Sequence, residues 1–220
     1  LFARTPIRDF PRILLNTLLV SASTAVISII LASVSGYGIA RSQQLKIRIF
    51  SRFLLFIYVF PTIIILIPIY KLFTVIGIWN NFLGLILIYS ALVSPFCTWL
   101  LVSFFDSIPK EMEESSQIDG ANAFTTFMKI VLPLTLPGII TVGSYAFITA
   151  WGEYMFALVL ISSNSKKTAA LGLATFTAEQ YIEWGPLLAG SILIIMPVFL
   201  MFLPVSRYFI KGFMTGAIKG

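Results

Sequence analysis

The chain has 220 residues, 58% apolar and only 11% charged, with a formal net charge of +6 and a mean hydropathy of +0.96. That balance lies outside the range of water-soluble domains and indicates an integral membrane protein, so the basic excess reads as cytoplasmic loop charge and not as a nucleic-acid surface. With one cysteine, Cys97, and no histidine, an internal disulfide framework, a thiolate metal site and a histidine proton relay are excluded.

Uncharged runs extend over Ile13–Ala40, Phe53–Tyr70, Leu72–Phe105, Ile130–Gly152 and Trp184–Ser206, each near or above the ~18 residues that cross ~30 Å of hydrocarbon as a helix. Their continuity excludes a transmembrane barrel, whose strands alternate in character, and predicts an all-α, polytopic helical membrane protein with five visible spans. The expected helices are Ile13–Ile39, Phe50–Phe73, Phe82–Phe105, Pro137–Ile161 and Pro186–Ser206.

The first span is too long for a signal-peptide core. Its run "SASTAVISIILASVSGYG" spaces small residues so that another backbone can approach closely, either within the bundle or on a partner. A basic loop follows with Arg41, Lys46, Arg48 and Arg52, matched at the C-terminus by Arg207, Lys211 and Lys219. Both clusters are expected to face the cytoplasm. Four spans separate them, which puts Arg4, Arg8, Arg12 and Asp9 outside, against the charge rule; a further upstream span would remove the conflict by fixing orientation earlier.

The second span carries Pro61 and Pro68, the third Pro95 and the fifth Pro197 and Pro204, each expected to bend its helix. Ile76–Gly84 reads as a short outer turn with Trp79 at headgroup depth, Asp106–Leu132 as a long inner segment and Ser162–Gly185 as a long outer one. The chain has no internal repeat and no low-complexity tract.

In the inner segment, "SIPKEMEESSQIDG" predicts a helix with Ser107 in the capping position, Pro109 in the first turn, and Glu111, Glu113 and Glu114 where the helix dipole favours acids. Gly120 stops it. A second short helix is expected with Phe124, Phe127, Met128 and Val131 on one face, ended by Pro133, before Pro137 opens the next span. Such a segment is costly to order unless something packs on it, and an acidic helix on the basic side of the membrane suggests a basic partner; a pair of stabilised surface turns is the alternative. In the fourth span Glu153 is the one acid, ~24 Å along from Pro137 at ~1.5 Å per residue, and an intramembrane carboxylate is a functional candidate by default. Tyr145, Trp151, Glu153 and Tyr154 are candidate binding or path residues, aromatic faces beside one carboxylate; an aromatic belt at the membrane interface is the alternative.

The spacing of Glu114, Ser115, Ser116, Asp119, Gly120, Ile130, Leu132 and Pro133 resembles the cytoplasmic EAA signature of binding-protein-dependent ABC importer permeases, with both alanines replaced by serine. Along essentially its whole length, through "LNTLLVSASTAVISIILASVSGYGIAR" and the ending from Trp184, the chain resembles the carbohydrate-uptake branch, specifically the second permease subunit of maltose-type systems. The resemblance implies one transmembrane domain over residues 1–220 with the type I importer permease fold, six spans in the full chain, and a coupling segment at 106–132. The ATPase-coupling residues it implies are Glu114, Ser115, Ser116, Asp119, Gly120, Ala121, Phe124, Ile130, Leu132 and Pro133. Glu114 would pair with a basic residue of a cytoplasmic ABC ATPase, and the prolines would stiffen the joint.

The implied partners are a second homologous permease, the ATPase dimer, an extracellular or periplasmic solute-binding protein, a sugar substrate and membrane lipid, but no nucleic acid. Glu179 and Glu183, four apart, would belong to the face meeting the binding protein; a solvated loop is the alternative. No cofactor is expected here and the chain is not an enzyme: ATP-Mg belongs to the ATPase, since no Walker A loop is present. The location implied is a bacterial or archaeal plasma membrane with the C-terminus in the cytoplasm. The open alternatives are a permease for glycerol phosphate or a polyol, and a structural membrane scaffold; a secondary transporter, a channel and a membrane enzyme each lack their required groups.

Overall fold

The computed structural model describes residues 9–177, 182 and 184–217, with side chains described as far as Leu203 except at Arg52. The expectations placed on Glu179 and Glu183, and on the side chains of Arg207, Lys211 and Lys219, lie outside the described residues. Within them every regular element is a helix. Three, α1 (Phe10–Arg41), α4 (Phe82–Asp106) and Trp184–Leu203 of α11 (Trp184–Ala217), are each long and apolar enough to cross a membrane. The count reaches five if two bent pairs each form one span.

One bent pair corrects the second expected span. α2 (Leu45–Val59) and α3 (Ile63–Val75) meet at 90° instead of forming one rod. Pro61 has no N–H to continue the ladder and forces its predecessor out of the helical region, and Phe60 accordingly sits at φ −62°, ψ 131°. Pro68 and Pro95, by contrast, stay inside continuous helices. The other pair joins Ala123–Leu134 to α8 (Leu136–Trp151) at 77°. The fourth expected span also differs: α8 ends at Gly152, and the chain restarts as α9 (Met155–Leu160) beyond a break at Glu153.

The centre of the bundle is α1, packed chiefly on α4 and α8. Its buried face carries Ser21, Thr24, Ala25, Ser28, Ala32, Gly36 and Ala40, so the small-residue run serves close packing inside this chain. Ser35 and Thr98 join α1 to α4 through their hydroxyls at 3.0 Å. A Cβ on Gly138 of α8 would lie 2.6 Å from Cγ of Phe104; the α8–α4 contact therefore requires glycine there. The exposed apolar side chains of α1, α2, α3 and α11, such as Val34, Phe56, Ile67 and Ile195, are acceptable in hydrocarbon but not in water.

Two ends of the bundle are distinct. At one, Asn80 gathers the segment after α9: its Oδ1 accepts from the N–H groups of Ser162 and Ser163 at 3.2 and 3.1 Å, and its carbonyl accepts from Lys166 at 2.7 Å. Asn16 of α1 donates to the carbonyls of Ser165 and Lys167 at the same end. At the other end α1 finishes at Arg41, α4 finishes at Asp106 and α8 begins; here the acidic segment lies.

Candidate functional site

The inner segment folds as α5 (Glu111–Ile118), a glycine turn, α6 (Ala123–Thr126), a π-helical turn over Phe127–Val131 and α7 (Leu132–Leu134), leading into α8. Gly120 has φ +88°, with nothing within 4 Å of where a Cβ would stand. The left-handed backbone alone, not crowding, demands glycine at this turn. Asn122 restarts the chain by accepting from the N–H of Thr125 at 2.8 Å, an N-cap of ordinary kind.

Several local expectations are corrected. Ser107 does not cap α5; it closes α4, donating to the carbonyl of Phe104 at 2.6 Å, and α5 begins at Lys110 without a side-chain cap. Pro133 does not end the second helix but opens α7. Phe124, Phe127, Met128 and Val131 do not share one environment. Val131 is fully buried and Phe127 packs inward, whereas Phe124 is 72% exposed and Met128 44%. The wide turn inserts a residue and shifts the helical register, with Leu132 N–H bonding to the carbonyl of Phe127.

Of the residues expected to couple, Glu114, Ser115, Asp119, Gly120, Phe124 and Pro133 are exposed, Ala121, Ile130 and Leu132 are half-buried, and Ser116 is buried. Ser116 does more than substitute for alanine: its hydroxyl lies 2.7 Å from that of Thr126 and 2.9 Å from the carbonyl of Glu113, tying α5 to α6. Around the Gly120 turn stand Ile118, 86% exposed, with Phe124, Met112 and Met128. Glu111 and Glu114 are exposed on the same helix as Ile118, at spacings that share a face.

The acid next to Glu114 behaves differently, and sequence reading missed it. Glu113 is buried. Its Oε1 accepts from Nε of Arg41 at 2.6 Å and its Oε2 from the hydroxyl of Tyr37 at 2.6 Å, while a further Arg41 nitrogen donates to the carbonyl of Ile108 at 3.3 Å. Arg41 is thus the last residue of α1 and not a free loop charge. The rings of Tyr37, Phe105 and Phe127 cluster beside it, Tyr37 and Phe127 at 4.8 Å between centroids. The available signal was a tyrosine and an arginine four apart on the last turn of α1, one face presenting two donors.

A cavity of about 680 Å³ opens between the α2–α3 bend, α4 and α8, with Phe56, Tyr58, Phe60, Tyr145, Thr149 and Glu153 in its wall. Tyr58 and Tyr145 hydrogen-bond hydroxyl to hydroxyl, and the Phe96 ring lies tilted against both, at 5.1 and 4.6 Å between centroids. Of the four path candidates the structure brings Tyr145 and Glu153 to this cavity. It does not bring Trp151, which is buried with its indole N–H on the carbonyl of Ile194 at 3.1 Å, or Tyr154, which packs on the neighbouring apolar cluster. Both oxygens of Glu153 are engaged: Oε1 accepts from Phe156 N–H at 3.0 Å, and Oε2 from the Tyr89 hydroxyl at 2.6 Å and Ala157 N–H at 3.2 Å. The carboxylate thereby satisfies the free donors at the start of α9. Among the described residues no group of three His, Cys, Asp or Glu side chains is arranged to hold a metal.

Comparison with known proteins bears on this geometry. Residues 26–211 match the pattern of the binding-protein-dependent transport system inner membrane component. The chain is 32% identical over 206 residues to the probable ABC transporter permease protein YurM of Bacillus subtilis, covering 94% of this chain and 69% of that one. It is 32% identical over 213 residues to the trehalose transport system permease protein SugB of Mycobacterium tuberculosis, covering 96% and 78%. In structure it is similar to a chain in the crystal structure of a bacterial ABC transporter involved in the import of the acidic polysaccharide alginate, with a TM-score of 0.75, 26% identity and coverage of 91% and 75%.

Proposed function

Because the chain belongs to the binding-protein-dependent transport system inner membrane component family and is a multi-pass permease subunit of an ABC importer, we propose that its solute is a carbohydrate and that its inner segment engages a cytoplasmic ATPase. The observation that carries the second part is the tip around Gly120. Ile118 at 86% exposure and Phe124 at 72% project from a polar, acidic segment outside the long helices. Apolar side chains held out around a glycine turn, rimmed by Glu111 and Glu114, suit a partner groove with an apolar floor and a basic edge. In this reading the segment faces the cytoplasm, as does the C-terminus, and ATP-Mg sits on the partner. A second permease of the same family completes the path, and a solute-binding protein delivers solute at the Asn80 end.

The carbohydrate assignment is supported by the relatives named for trehalose and alginate and by the cavity. Its volume falls in the range of small-molecule sites, and its wall combines aromatic faces with the hydroxyls of Tyr58, Tyr145 and Thr149. Aromatic rings suit the C–H faces of a sugar, and hydroxyls exchange hydrogen bonds with its periphery. Tyr145 and Glu153 are the path residues in this proposal, Tyr145 by contact and Glu153 by holding the α8–α9 joint that shapes the wall.

The coupling reading is tested by Gly120→Val in the assembled importer. Val resists the φ of +88°, so uptake and solute-stimulated ATP hydrolysis are expected to vanish while membrane insertion persists; Gly120→Asn, which tolerates positive φ better, is expected to retain activity. Unchanged transport with Val defeats the assignment. Uptake assays with labelled sugars against polyols and glycerol phosphate decide the solute class.

A further inference from the structure

We propose that Arg41, Tyr37 and Glu113 form a latch that makes the inner end of α1 move as one body with α5, so that Glu113 is a positioning residue for coupling although it is buried. The inference rests on the coupling reading above and adds a second route for force. Along the chain, displacement of the Gly120 tip passes through α6, the π-turn and Pro133 into α8. The latch delivers the same displacement to α1, whose Arg41 lies 72 residues before Glu113 in sequence.

Burial makes this contact stiff. The Arg41 and Glu113 side chains are 15% and 8% exposed, and both carboxylate oxygens are occupied by donors from α1. Separating them would leave an uncompensated charge among the rings of Tyr37, Phe105 and Phe127, an outcome far more costly than breaking a solvated pair. A second ion pair of this end among the described residues is different in kind: Arg48 and Asp106 stand 4.0 Å apart with 56% and 47% exposure and contribute little rigidity. Without the latch, α5 is held by the turn at Ser107–Lys110, the glycine turn and the Ser116–Thr126 contact, which joins it to α6 but not to α1. With it, the face bearing Glu111, Glu114 and Ile118 is held outward while the opposite face is clamped to α1, and α1 in turn packs on α4 and α8.

The test uses the complete importer reconstituted in vesicles, with ATP hydrolysis and solute uptake measured on the same preparation. Glu113→Gln keeps the shape but removes the charge. The expected result is an assembled complex that still hydrolyses ATP while the ATP consumed per solute rises about tenfold, the scale of a coupling free energy between separate sites. An unchanged ratio overturns the latch, and if Gly120→Val abolishes transport in parallel, the coupling reading survives its failure. A second measurement needs no latch variant: spin labels at Gly38→Cys, on α1 with open space for a side chain, and Gln117→Cys on α5, on a Cys97→Ala background. The latch predicts the same distance between labels with and without ATP. A shift of more than one helical turn, ~5 Å, overturns it.

Discussion

Replacing Glu153 by glutamine separates a structural carboxylate from one reserved for solute. Its two oxygens accept three bonds, from Phe156 N–H, Ala157 N–H and the Tyr89 hydroxyl. A glutamine carbonyl can take the place of one oxygen, but its NH2 group then faces a backbone donor whichever way the amide is turned. One α9 amide is orphaned, at about 1–3 kcal/mol, and the surviving bonds lose their charge assistance. The expected cost is therefore about 2 kcal/mol, read as a lower thermal unfolding midpoint of the purified complex. Tyr89→Phe removes one of the same bonds, so the double variant should be less destabilised than the sum of the singles. If Glu153→Gln unfolds with the wild type yet loses uptake, the carboxylate serves the solute and the capping argument is refuted.

Ser116→Ala leaves the buried hydroxyl of Thr126 without the Ser116 oxygen now 2.7 Å away; a loss of about 1–2 kcal/mol in stability is expected, with faster amide exchange in α5 and α6, and equal exchange rates would remove the bridge from the account. Gly138→Ala places a methyl 2.6 Å from Cγ of Phe104, an overpacking of about 1–3 kcal/mol, measurable as reduced thermal stability and partly reversed by Phe104→Ala. Should Gly138→Ala prove neutral, the close approach of α4 and α8 is wrong.

The breaks in the bundle were partly legible. Pro61 reads as a breaker from sequence, yet proline does not specify a right-angled bend: α3 contains Pro68 and α4 contains Pro95 without interruption. At Pro61 the preceding residue, Phe60, is extended, whereas the helix continues through Pro68 and Pro95. The end of α8 at Gly152 was hidden because the apolar stretch resumes after Glu153 and composition does not distinguish a bent rod from two pieces. Trp151 looked like a pathway residue from its neighbours in sequence; in the fold, α11 supplies the acceptor for its indole.

Length and apolarity alone committed this chain to membrane helices, since a bilayer core offers a backbone no partner but itself. The spacing from Glu114 to Pro133 likewise gave the family resemblance without coordinates. Tertiary structure decided between Glu113 and Glu114. Adjacent and chemically identical, they differ by ~100° around one helix, and only the arrival of Arg41 and Tyr37 from α1 buries the first and leaves the second in solvent. A pairing between distant segments depends on which faces the packed helices bring together, and a local pattern does not contain that information.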